Sequence, residues 1–254
     1  MGSGTGSRTY KYGGGTGATD TPGAKKLIQA GGGGNVKLYP PENSSNDLQT
    51  KYGRIGFETL YGGDNVQNAV LGSYADQLAR LDRRFGAIKG SDKPEVIITN
   101  ESGSTLAAVG FNPQNPADQT LYINAKKLGK IKKAVATTKE STASGWAAAN
   151  KGDLKANAYY AVTHEYGHML HNQMFAKAKA NGYTGTRNEF VARCNAEILN
   201  IAKQRYGVKR KTQVSVYGNT NGRERFAETF ASSQLGGNTA MAKAMRYWLK
   251  QQGF

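Results

Sequence analysis

The sequence predicts an α+β domain with a small sheet, a long buried helix bearing the chemistry, and a helical C-terminal half. An extended Gly-rich arm precedes it. Three observations lead there. Short strand-like segments separated by turn residues occupy the stretch from Val36 to Asn124. From about Ala156 onward the apolar residues recur at helical spacing. Strands first and helices later is the ordering of an α+β domain. The third observation is an H-E-x-x-H pattern at the start of the helical half.

Residues 1–34 read as an arm and residues 35–254 as the domain. Of the chain's 33 glycines, twelve fall in residues 1–34, and the few apolar residues there show no period. Such a segment cannot offset its ordering entropy by burying a core, so the expectation is an arm that is flexible or that orders on a partner. NVKLYP reads as a short strand stopped by Pro40 and Pro41, followed by the polar loop PENSSND. From Asp64 to Phe85, Val66, Val70, Tyr74, Leu78, Leu81 and Phe85 form one apolar face. Asp64 or Asn65 caps that helix and Gly86 ends it. PEVIIT, TLAAVGF and TLYIN read as three strands. The basic run AKKLGKIKK reads as a solvated face. Helices are then expected from Ala156 to Asn181-Gly182, from Arg187 to Tyr206 (closed by Gly207), from Asn221 to Leu235 and from Thr239 to Gln252. QVSVYG reads as a short strand between the second and third of these.

Composition removes several classes. Lys plus Arg is 34 against 18 for Asp plus Glu, a net charge of +16 in 254 residues. That charge favours polyanionic partners, nucleic acid among them. No apolar run reaches the length of a membrane span, so no membrane partner is expected. The opening MGSGTGSRTYKYGGGTG has no apolar core of the secretory type. Cys194 is the single cysteine, which excludes an internal disulfide and a Cys-rich zinc site. The expected site of synthesis and folding is a reducing cytoplasm.

The chemistry lies in His164-Glu165-Tyr166-Gly167-His168. Residues four apart on a helix lie one above the other, so His164 and His168 can reach one metal ion. Imidazole nitrogens suit Zn2+ with an open position for water. Glu165 lies beside that face, placed to take a proton from the water. All three histidines, His171 included, fall within eight residues, and the flanks of the motif are apolar. Downstream, Glu224 and Glu228 are four apart on the next amphipathic helix, and Ala227 and Ala231 are small enough to allow close helix approach. One carboxylate completes the metal shell and the other accepts the N–H of a ligand histidine; spacing alone does not say which. His171 reads as a hydrogen-bonded helix histidine. Trp146, in SGWAAAN, reads as a core residue, with the mouth of the site as its other placement.

HEYGH followed by YGNTNGRERFAETFA resembles the catalytic domain of anthrax lethal factor and its gluzincin relatives. These include bacterial proline-proline endopeptidases and the zincin-like domains of phage head proteins. The resemblance covers about residues 157–232. It implies a zincin-like fold and a zinc metallopeptidase acting on a protein or peptide. It also implies roles: His164, His168 and Glu224 as metal ligands, Glu165 as general base, Tyr217 as donor to the oxyanion, and Glu228 as the carboxylate behind a ligand. The short basic chain and its arm fit a phage-encoded virion or head-associated protein, with residues 1–34 ordering against neighbouring subunits. The alternative expectation is a virion structural protein that uses the fold as a scaffold, with little or no peptidase activity.

Overall fold

The computed structural model of the chain describes residues 8–11, 35–38, 46–61, 68–99, 105–112, 115–209 and 214–254. It is mixed α+β, as expected, and its internal contacts cluster into two units. One contains residues 1–76 and 88–131; the other contains residues 77–87 and 132–254.

The first unit is built on a mixed sheet. Its strands are β1 (Arg8–Lys11), β2 (Asn35–Leu38), β3 (Thr59–Tyr61), β4 (Asp92–Thr99), β5 (Ala107–Phe111) and β6 (Asp118–Asn124). The order is β1-β2-β4-β6-β5, with β3 also on β4. β3 and β6 run parallel to β4, while β5 runs antiparallel to β6. Val96, Ile97 and Ile98 of β4 and Leu121, Tyr122 and Ile123 of β6 are all buried. A continuous apolar run, rather than an alternating one, marks strands covered on both faces. β6 lies between two strands, so of TLAAVGF and TLYIN only the former runs along the end of the sheet. Helix α1 (Asn46–Ile55) packs on β3, with Leu48 and Tyr52 buried.

Two features of this unit depart from expectation. The sequence pattern marks no element in the stretch that α1 and β3 occupy. Within the expected arm, Arg8–Lys11 pair antiparallel with Asn35–Leu38. The rest of the arm, the Pro40–Pro41 stop and the Asp64 and Asn65 caps lie outside the described residues.

Helix α2 (Asn68–Phe85) ends at Gly86, whose φ of 64° is the left-handed conformation that closes helices. The lysines of the basic run are exposed or half-buried, as expected of a solvated face. The run forms the short helix α3 (Ala125–Leu128), capped by the Asn124 side chain, and leads into α4 (Ile131–Ala143).

The second unit is helical. α5 (Leu154–Ala158) leads into α6 (Tyr160–Ala180), α7 (Arg187–Tyr206), α8 (Gly222–Gln234) and α9 (Ala240–Gln251). α7 begins in a capping box, in which Thr186 and Glu189 bond reciprocally to each other's backbone N–H, and ends at the left-handed Gly207. α6 packs on α8, α8 on α9, and α9 on α7. Phe226, Phe230, Met245 and Trp248 fill the space between them. Tyr166 fastens α6 to the end of α2: its hydroxyl donates to Asp82 Oδ1 (2.8 Å) and accepts from the Ala87 N–H (3.0 Å). The expected strand in QVSVYG is absent among the described residues. Ser215 turns inward to a buried carboxylate, and Tyr217–Asn219 form a 3₁₀ turn. Among the described residues, no helix is long and apolar enough to cross a membrane.

Candidate metal centre

α6 supplies two imidazoles because His164 and His168 are one turn apart on its buried face. α8 supplies two carboxylates by the same rule, and its start is fixed locally. The Asn221 side chain accepts from the Arg223 and Glu224 N–H groups, both at 3.0 Å. This puts Glu224 in the first helical turn, where the positive end of the helix dipole favours a carboxylate. Glu228 follows one turn later on the same face.

The two helices approach closely at glycine and alanine. A Cβ added to Gly167 would lie 3.0 Å from Ala227 Cα and 3.2 Å from Phe230 Cδ1. Ala227 was expected to allow this approach; Gly167, its partner on the other helix, was not singled out. Its position inside the H-E-x-x-H pattern was the available signal.

His164, His168 and Glu224 converge. Glu224 Oε2 is 3.0 Å from His164 Nε2 and 3.1 Å from His168 Nε2, and the two Nε2 atoms are 3.2 Å apart. For ligand bonds of about 2.0–2.1 Å, a tetrahedral shell has edges of roughly 3.3 Å. Three donor atoms at these separations therefore fit three corners of one such shell. They form a group that can hold a metal ion. Side-chain exposure falls from 17% at Glu224 and 15% at His168 to 7% at His164 and 2% at Glu228. The centre therefore opens on the Glu224–His168 side and is closed behind His164.

Behind the cluster, Glu228 Oε1 lies 2.9 Å from His164 Nδ1. A proton held on Nδ1 by this bond leaves the Nε2 lone pair free to ligate. The other oxygen, Oε2, accepts from the Ala148 N–H (2.6 Å) and the Ser215 hydroxyl (2.7 Å). Ser215 Oγ in turn accepts from the Gly218 N–H (2.8 Å). Ser215 and the Ala148 backbone were not foreseen, because nothing in their sequence neighbourhood marks them.

Electrostatics follow from this packing. Burial alone would raise Glu224 and Glu228. Their hydrogen bonds to the histidines, and for Glu228 to Ser215 and Ala148, hold both below the usual carboxylate range. Burial lowers His164, but its bonds with Glu224 and Glu228 outweigh that and raise it to about 10 in the metal-free site. Glu165, buried beside this cluster, is shifted upward by desolvation, with the histidines pulling the other way. An upward shift suits a carboxylate that must take a proton and release it again.

Tyr217 lies over the cluster, its ring 5.7 Å from that of His164. Burial, together with the nearby Glu224 and Glu165 charges, raises its phenol above the ordinary value. It thus remains a hydrogen-bond donor, and its hydroxyl bonds to Glu224. His171 stays outside the cluster. It is buried against Phe226 and Phe190, and burial first, then Arg187, hold it well below its usual pKa. A hydrogen bond with the Arg187 backbone pulls weakly the other way. Trp146 is not a core residue: it is half exposed and stacks on Tyr217. Comparison with models of known protein families, with curated proteins and with solved structures yields no match.

Proposed function

We propose that the protein is a zinc-dependent endopeptidase of the zincin type. The observation that carries this reading is the convergence of His164 Nε2, His168 Nε2 and Glu224 Oε2 within tetrahedral-edge distances, beside the buried Glu165. Zinc held by these three residues would lower the pKa of a water and polarise the scissile carbonyl. The protein's own groups do the rest. Glu165 accepts the proton of the attacking water and delivers it to the departing amine. Tyr217, kept protonated, donates to the oxygen that becomes negative. Glu228 holds His164 in one tautomer and one orientation.

Metal content and cleavage together test this reading. Purified protein should bind one zinc per chain and cut members of a peptide library, and Glu165→Gln should keep the metal while losing cleavage. Absence of stoichiometric zinc would overturn the proposal. Zinc without cleavage by the unaltered protein would favour the scaffold role in a virion.

A further inference from the structure

Trp146 is one of two tryptophans in the chain, and its placement is unusual. Trp248 is 2% exposed, whereas Trp146 is 50% exposed. Exposure here does not mean looseness. The Ala147 N–H donates to Ser141 O (3.0 Å), and the Ala148 N–H is fixed on Glu228. The Val216 N–H donates to Gly145 O (2.9 Å), and the Tyr217 N–H to Trp146 O (3.0 Å). The indole is thus carried on a backbone strap bonded to the segment that bears Tyr217.

One face of the indole is used. It stacks on the Tyr217 ring, with centroids 5.7 Å apart and planes 26° apart, and Tyr217 in turn lies 5.7 Å from the His164 ring. Val216, whose N–H bonds to the residue before Trp146, is 43% exposed. An exposed indole on a bonded backbone strap, one ring removed from His164, together with the exposed Val216 offers apolar surface close to the metal-ligand cluster. A rigid aromatic surface binds flat apolar groups at little entropic cost, because it has no rotamers left to lose.

We propose that Trp146 and Val216 form a substrate subsite for a flat, apolar side chain of the peptide, and that Trp146 thereby sets a preference for aromatic over small residues next to the cleaved bond. This rests on the metallopeptidase reading. The surface is too apolar to favour an acidic side chain, so selection is expected by shape and not by charge.

The test uses the zinc-loaded full chain and two probes, N-acetylphenylalanine hydroxamate and N-acetylglycine hydroxamate. Their metal-binding groups are the same and only the side chain differs. The phenylalanine compound should bind on the order of tenfold more tightly and should alter the emission of the exposed tryptophan. Trp146→Ala should reduce that preference to near one while leaving the glycine compound's affinity unchanged. Trp146→Phe should restore most of the preference. If Trp146→Ala weakens both probes equally, Trp146 merely shields Tyr217 and the subsite is overturned. If the unaltered protein binds both with equal affinity, the subsite is likewise overturned while the metal site stands. If neither probe binds a zinc-loaded protein, the metallopeptidase reading fails and takes the subsite with it.

Discussion

Glu228 stands directly behind His164, with Oε1 2.9 Å from Nδ1 and Oε2 held by the Ala148 N–H and the Ser215 hydroxyl. The histidine's orientation is therefore set by a carboxylate that is itself immobilised at its other oxygen. Glu228→Gln should weaken zinc binding by about 10- to 100-fold, measured by competition with a chromogenic chelator. Glu228→Ala should also lower stability, by about 1–3 kcal/mol, because buried donors, the Ser215 hydroxyl and His164 Nδ1–H among them, lose their acceptor. A Gln variant with unchanged zinc affinity would show that His164 is oriented by packing alone.

Metal binding should release protons. In the metal-free protein His164 is raised from 6.5 to about 10, so it is an imidazolium at neutral pH. A ligand histidine must be neutral, so zinc affinity should rise with pH up to about 10. The same shift sets a stability trend. A folded pKa above the unfolded one stabilises the metal-free fold fully below about 6.5, and that contribution is lost as pH rises through about 10. Thermal unfolding with excess chelator should therefore show a midpoint that falls across this window, while the zinc-loaded protein lacks this component. Titration calorimetry in two buffers of different ionisation enthalpy should detect the released proton. Equal heats in both buffers would contradict the assignment.

Tyr217 offers a separable test of chemistry. Its phenol is a donor held over the cluster and bonded to Glu224, and its ring stacks on Trp146 and lies tilted against His164. Tyr217→Phe keeps the ring and removes only the donor. Turnover should fall by about 10²–10³, the cost typical of losing an oxyanion donor, while zinc content and KM stay near their original values. A loss of zinc in this variant would recast the tyrosine as support for Glu224.

Much of the helical half could be read from sequence because its signals are local. Thr186 and Glu189 three residues apart open α7, and Gly207 closes it, so both ends were visible. Asn221 likewise marked the start of α8 and hence the face shared by Glu224 and Glu228. What stayed hidden depends on distant partners. Val214-Ser215-Val216 alternates like a strand, yet Ser215 is drawn to Glu228, a residue on the following helix, and the chain turns. α4 was masked by its lysines, since its buried side rests on the small residues Ala134, Val135 and Thr138, which make a weak apolar stripe. Trp146 was read as core from residue type alone, and only the strap bonded to Val216 and Tyr217 holds it at the surface.

The contact between α6 and α8, which carry His164, His168 and Glu224, should be the least tolerant point of the centre. Gly167 lies between Glu165 and His168 and faces Ala227, which lies between Glu224 and Glu228. In an exposed helix interior, Gly→Ala would stabilise by about 1 kcal/mol through helix propensity. Here the added methyl would meet Ala227 Cα at 3.0 Å, a backbone atom that cannot rotate away, and Phe230, which is fully buried. Overpacking of this kind costs about 1–3 kcal/mol, so the net effect should be destabilising. The relief available is for α6 and α8 to move apart, which separates the histidines from Glu224. Gly167→Ala should therefore lower the thermal midpoint and weaken zinc binding together, as read by calorimetry and chelator competition. Ala227→Gly, which widens the same contact, should lower stability by about 1 kcal/mol with zinc affinity largely kept. A Gly167→Ala protein as stable as the original, with full zinc affinity, would mean that the two helices are not in van der Waals contact at this point.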